Sequence, residues 1–264
     1  MSSISDDPAA KAAGEPVPQR DATPTPPASA LTIIWGAVAT GLSVLYTVIV
    51  ALTGALLVIV AGGHPVSWIS RLWGRMILRT CGVRVQIDGL EHLAGLRSYV
   101  LVCNHQSFFD IFAILAWMPG QPRFLAKQEL TRIPVIGFVM PRAGHIMIDR
   151  AHGGRSIRRA IDMAREGYAI VVFAEGTRFS DNRVHPFNDG AAWLAIATRL
   201  KCVPMAISGT ANFFPRGARI VRPGGRMHIA IGRPIDTENL RSADREALTH
   251  QLESAVRTLF RSEV

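Results

Sequence analysis

Apolar and polar positions along this chain fall into successive regimes, each with its own period. From Leu31 to Ala61 no residue is charged, and apolar side chains occupy every helical face. As a helix this stretch would reach roughly 46 Å, against a hydrocarbon layer of roughly 30 Å. It predicts a membrane segment that crosses with tilt, bends near Gly54, or enters and returns. From Val66 to Cys81 the pattern becomes two-faced. Arg71, Arg75 and Arg79 recur every four residues, opposite Ile69, Leu72, Trp73, Met76 and Ile77. This predicts an amphipathic helix in the headgroup region, its arginines on phosphates and Trp68 and Trp73 at the boundary. A surface helix packed on the rest of the chain has the same pattern.

After residue 82 short apolar runs alternate with helical patterns. Strands are expected at Val83–Ile87, Tyr99–Cys103, Arg123–Ala126, His145–Ile148, Tyr168–Phe173, Val203–Ser208 and Met227–Ile231. Helices are expected at Phe108–Trp117, Ser156–Arg165, Gly190–Arg199 and Arg241–Phe260. The alternation predicts one α/β domain over 83–264, its central sheet largely parallel and flanked by helices. Functional loops of such a sheet gather at one end, near a topological switch. Residues 31–82 form the membrane-anchoring part, and residues 1–30, rich in Pro, Ala, Ser and Asp, read as a disordered tail.

Composition narrows the partners. Hydrophobic residues make up 48% of the 264 residues, and the net charge is +9. Mean hydropathy is +0.21 and the pI near 10.4. Such a balance favours acidic lipid headgroups or nucleic acid. No helix-turn-helix, zinc module or aromatic RNA-binding pattern is present, so nucleic acid is not expected. Cys81, Cys103 and Cys202 are scattered and odd in number, as in reduced, mostly buried residues of a chain facing the cytoplasm. Arginines after the apolar segment put its C-terminal side there too, at the inner membrane if the source is bacterial.

Two short stretches carry candidate chemistry. In Asn104-His105-Gln106-Ser107-Phe108-Phe109-Asp110, a histidine and an aspartate follow a strand at a spacing that one continuous helix would not pair. They meet if His105 lies in the turn and a helix starts at Ser107, with Ser107 as N-cap and Asp110 as the third helical residue. Asp110 then fixes the tautomer of His105 and stabilises its imidazolium. No G-x-S-x-G nucleophile elbow exists, which suggests a base acting on a hydroxyl of the substrate. A strand-end histidine bound to a helix cap, without chemistry, is the plainer reading.

The second stretch, Phe173-Ala174-Glu175-Gly176-Thr177-Arg178, ends the strand from Tyr168. Gly176 permits close backbone approach and Arg178 offers a fork that fits a phosphate. The plainer reading is a turn in which Glu175 and Arg178 pair with each other. Metal ligation is not expected, because His105, His145, His152 and His185 lack ligand spacing. His145 and His185 read as structural or loop residues. Gly153-Gly154 lacks the lysine of a phosphate-binding loop.

Together these stretches resemble the lysophospholipid acyltransferase family, whose best-known members are the 1-acylglycerol-3-phosphate acyltransferases. The resemblance runs from about Val83 to Pro234. It includes Lys127-Gln128-Glu129-Leu130 with Ile133-Pro134-Val135-Ile136-Gly137, then Gly144 through Ile148-Asp149-Arg150, and the strand at Val203-Pro204-Met205-Ala206-Ile207. It implies transfer of an acyl chain from coenzyme A or acyl carrier protein, as co-substrate, to the sn-2 hydroxyl of lysophosphatidic acid. No cofactor is implied. His105 is then general base with Asp110 as its orienter; Glu175, Gly176, Thr177 and Arg178, with Lys127 and Arg150, are the substrate-binding candidates. Glu175 is expected to hold Arg178 or Thr177, or a glycerol hydroxyl. Arg150 otherwise opens a solvated basic helix, and Lys127 otherwise meets headgroups. Other acceptors keep the same chemistry: another lysophospholipid, glycerol-3-phosphate or a lyso-ornithine lipid. A non-catalytic lipid-binding scaffold is the reading from another class. Asn188 and Asp189 depart from the family pattern, standing where many members carry a basic residue.

Overall fold

The computed structural model describes residues 29–61, 66–132, 136–148 and 153–264. The helices are α1 (Ala30–Ala61), α2 (Val66–Thr80), α3 (Phe109–Trp117), α4 (Ile136–Arg142), α5 (Gly153–Arg165), α6 (Gly190–Thr198) and α7 (Arg245–Leu259). The strands are β1 (Arg84–Asp88), β2 (Tyr99–Cys103), β3 (Arg123–Lys127), β4 (Ile146–Ile148), β5 (Ala169–Phe173), β6 (Cys202–Ser208) and β7 (Arg226–Ile231). They form a seven-stranded sheet in the order β1-β7-β6-β2-β5-β3-β4. All pairings are parallel except β6 with β7.

The parallel centre is continuous apolar sequence because both of its faces are covered. Every residue of β2 and of β6 is buried. Along β2 the faces alternate with the pleat. Tyr99, Leu101 and Cys103 join the core that holds Ile77, Phe109 and Ile114 of α2 and α3. Val100 and Val102 join the opposite core with Leu194 of α6 and Leu248 and Leu252 of α7. The result is helix, sheet, helix, the architecture expected of buried parallel strands. Cys81, Cys103 and Cys202 are buried and unpaired, and burial pushes the Cys202 thiol up to about 12.

Four expectations change in detail. The third helix starts at Phe109 rather than Ser107. The last helix starts at Arg245, after a 3-10 turn at Ser242–Asp244 in which the Asp244 carboxylate accepts the Arg241 N–H at 2.7 Å. Helix α4 is absent from the sequence reading; at seven residues, with Pro141 inside it, it is too short for a period to register. Finally, two arginines of α2 turn inward to α3. Arg71 Nη2 donates to the Met118 carbonyl and Arg75 Nε to that of Ala116, both at 3.1 Å. A helix C-terminus leaves such carbonyls without partners and carries partial negative charge, so it draws the guanidinium groups inward. Trp68 and Leu72 of α2 remain exposed.

Helix α1 lies side-on against the rest of the molecule along a stripe of small and polar residues. A Cβ at Gly36 would strike the Val221 carbonyl oxygen. Thr40 Oγ1 accepts the Val221 N–H at 2.9 Å. Ser43 Oγ reaches Cys81 Sγ at 3.8 Å, Trp73 Nε1 donates to Thr47 Oγ1 at 3.2 Å, and Gly54 faces Val139. Eighteen residues separate Gly36 from Gly54, about 27 Å of helix. The other face, with Leu31, Val44, Leu45, Leu52 and Ile59, is bare.

Candidate active site

The site begins with the register of two adjacent parallel strands. Cys103 of β2 is level with Phe173 of β5, so the residues that follow leave the same edge of the sheet side by side. The ladder runs one bond further, from the Ala174 N–H to the Cys103 carbonyl at 3.0 Å. Next, the His105 N–H donates to Glu175 Oε2 at 2.9 Å. On the other flank Asn104, fully buried, makes two bonds to β6: its Nδ2 donates to the Ile207 carbonyl and its Oδ1 accepts the Ile207 N–H, both at 2.9 Å. His105 thus leaves a strand end tied on both sides.

The turn then closes on Asp110. Its Oδ2 accepts three donors: His105 Nδ1 at 2.7 Å, the Gln106 N–H at 2.7 Å and the Ser107 N–H at 2.9 Å. Ser107, one residue before the N-cap Phe108, accepts through its Oγ from the Phe109 N–H at 3.3 Å and donates to the Phe214 carbonyl at 2.8 Å. With Nδ1 donating, the proton-accepting position of a neutral imidazole is Nε2. Nε2 makes no hydrogen bond among the described residues, and the side chain is 13% exposed while Asp110 is fully buried. The ring stacks on Phe173 with centroids 3.7 Å apart.

Glu175 does something other than hold Arg178. Its Oε2 takes the His105 N–H and its Oε1 takes the His185 N–H, each at 2.9 Å. It therefore joins the β2 turn to the loop 179–189. Burial pushes its carboxyl up to about 7 against the opposing pull of those two backbone bonds. Further bonds wrap the same loop around the turn: the Phe179 N–H to the His105 carbonyl at 3.0 Å, and Ser180 Oγ to the Gln106 carbonyl at 3.0 Å.

Arg178 is free of carboxylates. Its guanidinium lies 3.9 Å over the Phe108 ring and makes no ion pair among the described residues. Burial and nearby Arg216 both work against its charge, and the Asp110 carboxylate supports it only from a distance. Gly176 has φ near 70°, and a Cβ there would come within 2.8 Å of Asn188 Nδ2. Asn188 secures this turn through two bonds to the Ala174 carbonyl, and Asp189 pairs with Arg245 at 3.0 Å. Neither stands in for the absent basic residue. The Thr177 and Arg178 N–H groups make no hydrogen bond among the described residues.

Of the remaining substrate-binding candidates only Lys127 lies among the described residues. Lys127 ends β3, two strands from β2, so roughly 10 Å of sheet separates its backbone from the dyad. Arg150 and His152 lie outside the described residues. His145 is structural as expected: its Nδ1 accepts the Phe124 N–H at 3.1 Å. His185 pairs with Asp181 at 2.8 Å and stacks on Phe179. Asn104, Phe173, Phe108 and Arg216 were not singled out from sequence, and only the position of Asn104 beside His105 hinted at a role.

Comparison with known proteins is consistent with this geometry. The profile of the Acyltransferase family matches residues 84–208. The mouse 1-acyl-sn-glycerol-3-phosphate acyltransferase alpha is 30% identical over 184 residues, covering 68% of this chain and 65% of that protein. The human protein of the same name is 31% identical with the same coverage. The chain thus spans a little under two thirds of the length of these relatives. The crystal structure of the 1-acyl-sn-glycerophosphate (LPA) acyltransferase PlsC from Thermotoga maritima has the same fold, with a TM-score of 0.72 at 24% identity, covering 86% of this chain and 95% of that one.

Proposed function

We propose, from the match of residues 84–208 to the Acyltransferase family profile, that this chain transfers a fatty acyl group from a thioester to the sn-2 hydroxyl of lysophosphatidic acid, giving phosphatidic acid. The observation that carries this reading is the His105–Asp110 pair, with Nε2 free, on the same sheet edge as the unpaired cations Arg178 and Arg216. The relatives' names supply the acceptor.

In this reading Nε2 of His105 takes the proton of the acceptor hydroxyl as its oxygen attacks the thioester carbonyl. Asp110 holds the Nδ1 proton and offsets the charge of the imidazolium. The tetrahedral oxyanion needs preorganised donors, and the N–H groups of Thr177 and Arg178, unbonded among the described residues, are candidates. Collapse breaks the C–S bond, and the imidazolium returns its proton to the departing thiolate. One ester forms, one thiol leaves, and no acyl-enzyme is needed. Arg178, with Arg216 beside it, takes the acceptor phosphate; Glu175 acts one step back by fixing the His105 backbone. Coenzyme A or acyl carrier protein serves as donor.

Helix α1 is the membrane element in the same reading. Residues 30–57 are long and apolar enough to cross a bilayer. Its docking from Gly36 to Gly54 instead supports a helix that enters one leaflet with the α/β domain alongside, on the cytoplasmic face. A free crossing would strip its polar stripe of partners.

The test is acylation of lysophosphatidic acid by detergent-solubilised protein, beside His105→Ala. Wild type should release thiol and form phosphatidic acid, with the variant slower by about 10²–10⁴ while a thermal melt still shows a folded protein. Equal rates would remove His105 from the chemistry. An acceptor panel with glycerol-3-phosphate and a lyso-ornithine lipid fixes the acceptor, and lipid binding without thiol release from any of them would leave a scaffold.

A further inference from the structure

A second basic site lies at the other end of the sheet. Arg123 opens β3, on the edge opposite His105, and is 8% exposed. A guanidinium so deeply buried ordinarily has a carboxylate partner. Arg123 makes no ion pair among the described residues. It donates to the Gln121 Oε1 at 3.2 Å and the Pro122 carbonyl at 3.5 Å. The Tyr168 ring lies under it at 4.3 Å, the Tyr168 hydroxyl and, from a distance, Glu166 support its charge, and its Nε is buried without a partner.

The surroundings are donors. A cavity with about 20 Å³ of room for the centre of a guest is walled by Arg123, Arg71, His145 and Gln121, among others. That is space for one atom-sized group. Because His145 Nδ1 accepts the Phe124 N–H, its proton is on Nε2, and burial with Arg123 holds the ring neutral, down to about 3. Gln121 adopts φ of 53°, a strained value for a residue other than glycine, and its Oε1 is already engaged by Arg123. Arg71 enters from α2, where Trp68 and Leu72 are exposed beside it.

We infer that Arg123, Arg71 and His145 form an anion site, separate from the acyl-transfer site, that takes one terminal oxygen of a phosphate group. The phosphate belongs either to a dissolved ion or to a phospholipid headgroup at the α2 surface. The anion supplies the charge that Arg123 lacks and so stabilises the fold.

The test is thermal unfolding of the full chain in detergent, in inorganic phosphate against chloride at matched ionic strength, and in nanodiscs of phosphatidylglycerol against phosphatidylcholine. Phosphate in excess should raise Tm by about 2–4 °C. The rise should vanish in Arg123→Gln, shrink in Arg71→Gln, and persist in Arg178→Gln. A rise confined to phosphatidylglycerol, with the same dependence, assigns the site to headgroups. Should Arg123→Gln fail to fold, Arg71→Gln and Arg178→Gln still decide. No rise with either probe overturns the site, as does one that Arg71→Gln leaves intact or Arg178→Gln abolishes.

Discussion

Asp110 serves three donors through one oxygen, and its other oxygen, Oδ1, is buried without a hydrogen bond. Asp110→Asn leaves a single acceptor atom and adds an amide that finds no acceptor. The expected outcome is a drop in activity together with a stability loss of about 1–3 kcal/mol, read by denaturant melts. Glu175 gives a pH signature. Its carboxyl titrates near 7 folded and near 4.5 unfolded, so the folded state binds the extra proton between those values. Its contribution to stability therefore falls as pH rises from about 4.5 to 7, by about 1–3 kcal/mol. Glu175→Gln should flatten that slope while lowering activity, since one of the two backbone N–H groups loses its acceptor; an unchanged slope would refute the assignment. His105 with Asp110 was legible because six consecutive residues hold the whole interaction. The roles of Asn104 and Glu175 were not, because their partners, Ile207 and His185, become neighbours only when β6 and loop 179–189 are in place.

Helix α3 carries Asp110 on its first turn, and α2 holds α3 by contacts at opposite ends of the size scale. Arg71 and Arg75 close its last carbonyls, while Gly74 lets the two backbones touch: a Cβ there would lie 2.5 Å from the Phe112 carbonyl oxygen. Gly74→Val should push α3 outward, destabilise by about 1–3 kcal/mol, and lower acyl transfer because Asp110 moves with the helix; thermal melts and thiol release measure both. Strand and helix order were readable, since buried parallel strands are uniform apolar runs and the helices between them keep a 3.6-residue period. The arginine stripe of α2 misled because a period shows which residues share a face and not what that face meets.

Over the whole molecule, charge and apolar surface act over different distances. On the proposed reading, the net charge of +9 attracts anionic membranes through forces that salt screens, and the bare face of α1 adds burial, which salt does not weaken. Binding to phosphatidylglycerol vesicles, followed by sedimentation, should weaken on going from low to high salt yet keep a plateau. Gly36→Val, which strikes the Val221 carbonyl, should leave that plateau and lower Tm. Hydropathy announced α1 but not its docking, because a stripe of Gly36, Thr40, Ser43 and Thr47 in an apolar helix is silent until its partner is known. The joining of β2 to β5 and β6 around His105 has a further consequence. The His105–Asp110 contact is contained in one short stretch of chain, whereas Arg178, Arg216 and α1 come from distant ones. Insertions or substitutions in those segments can therefore alter the cations or the docking of α1 while leaving that contact untouched.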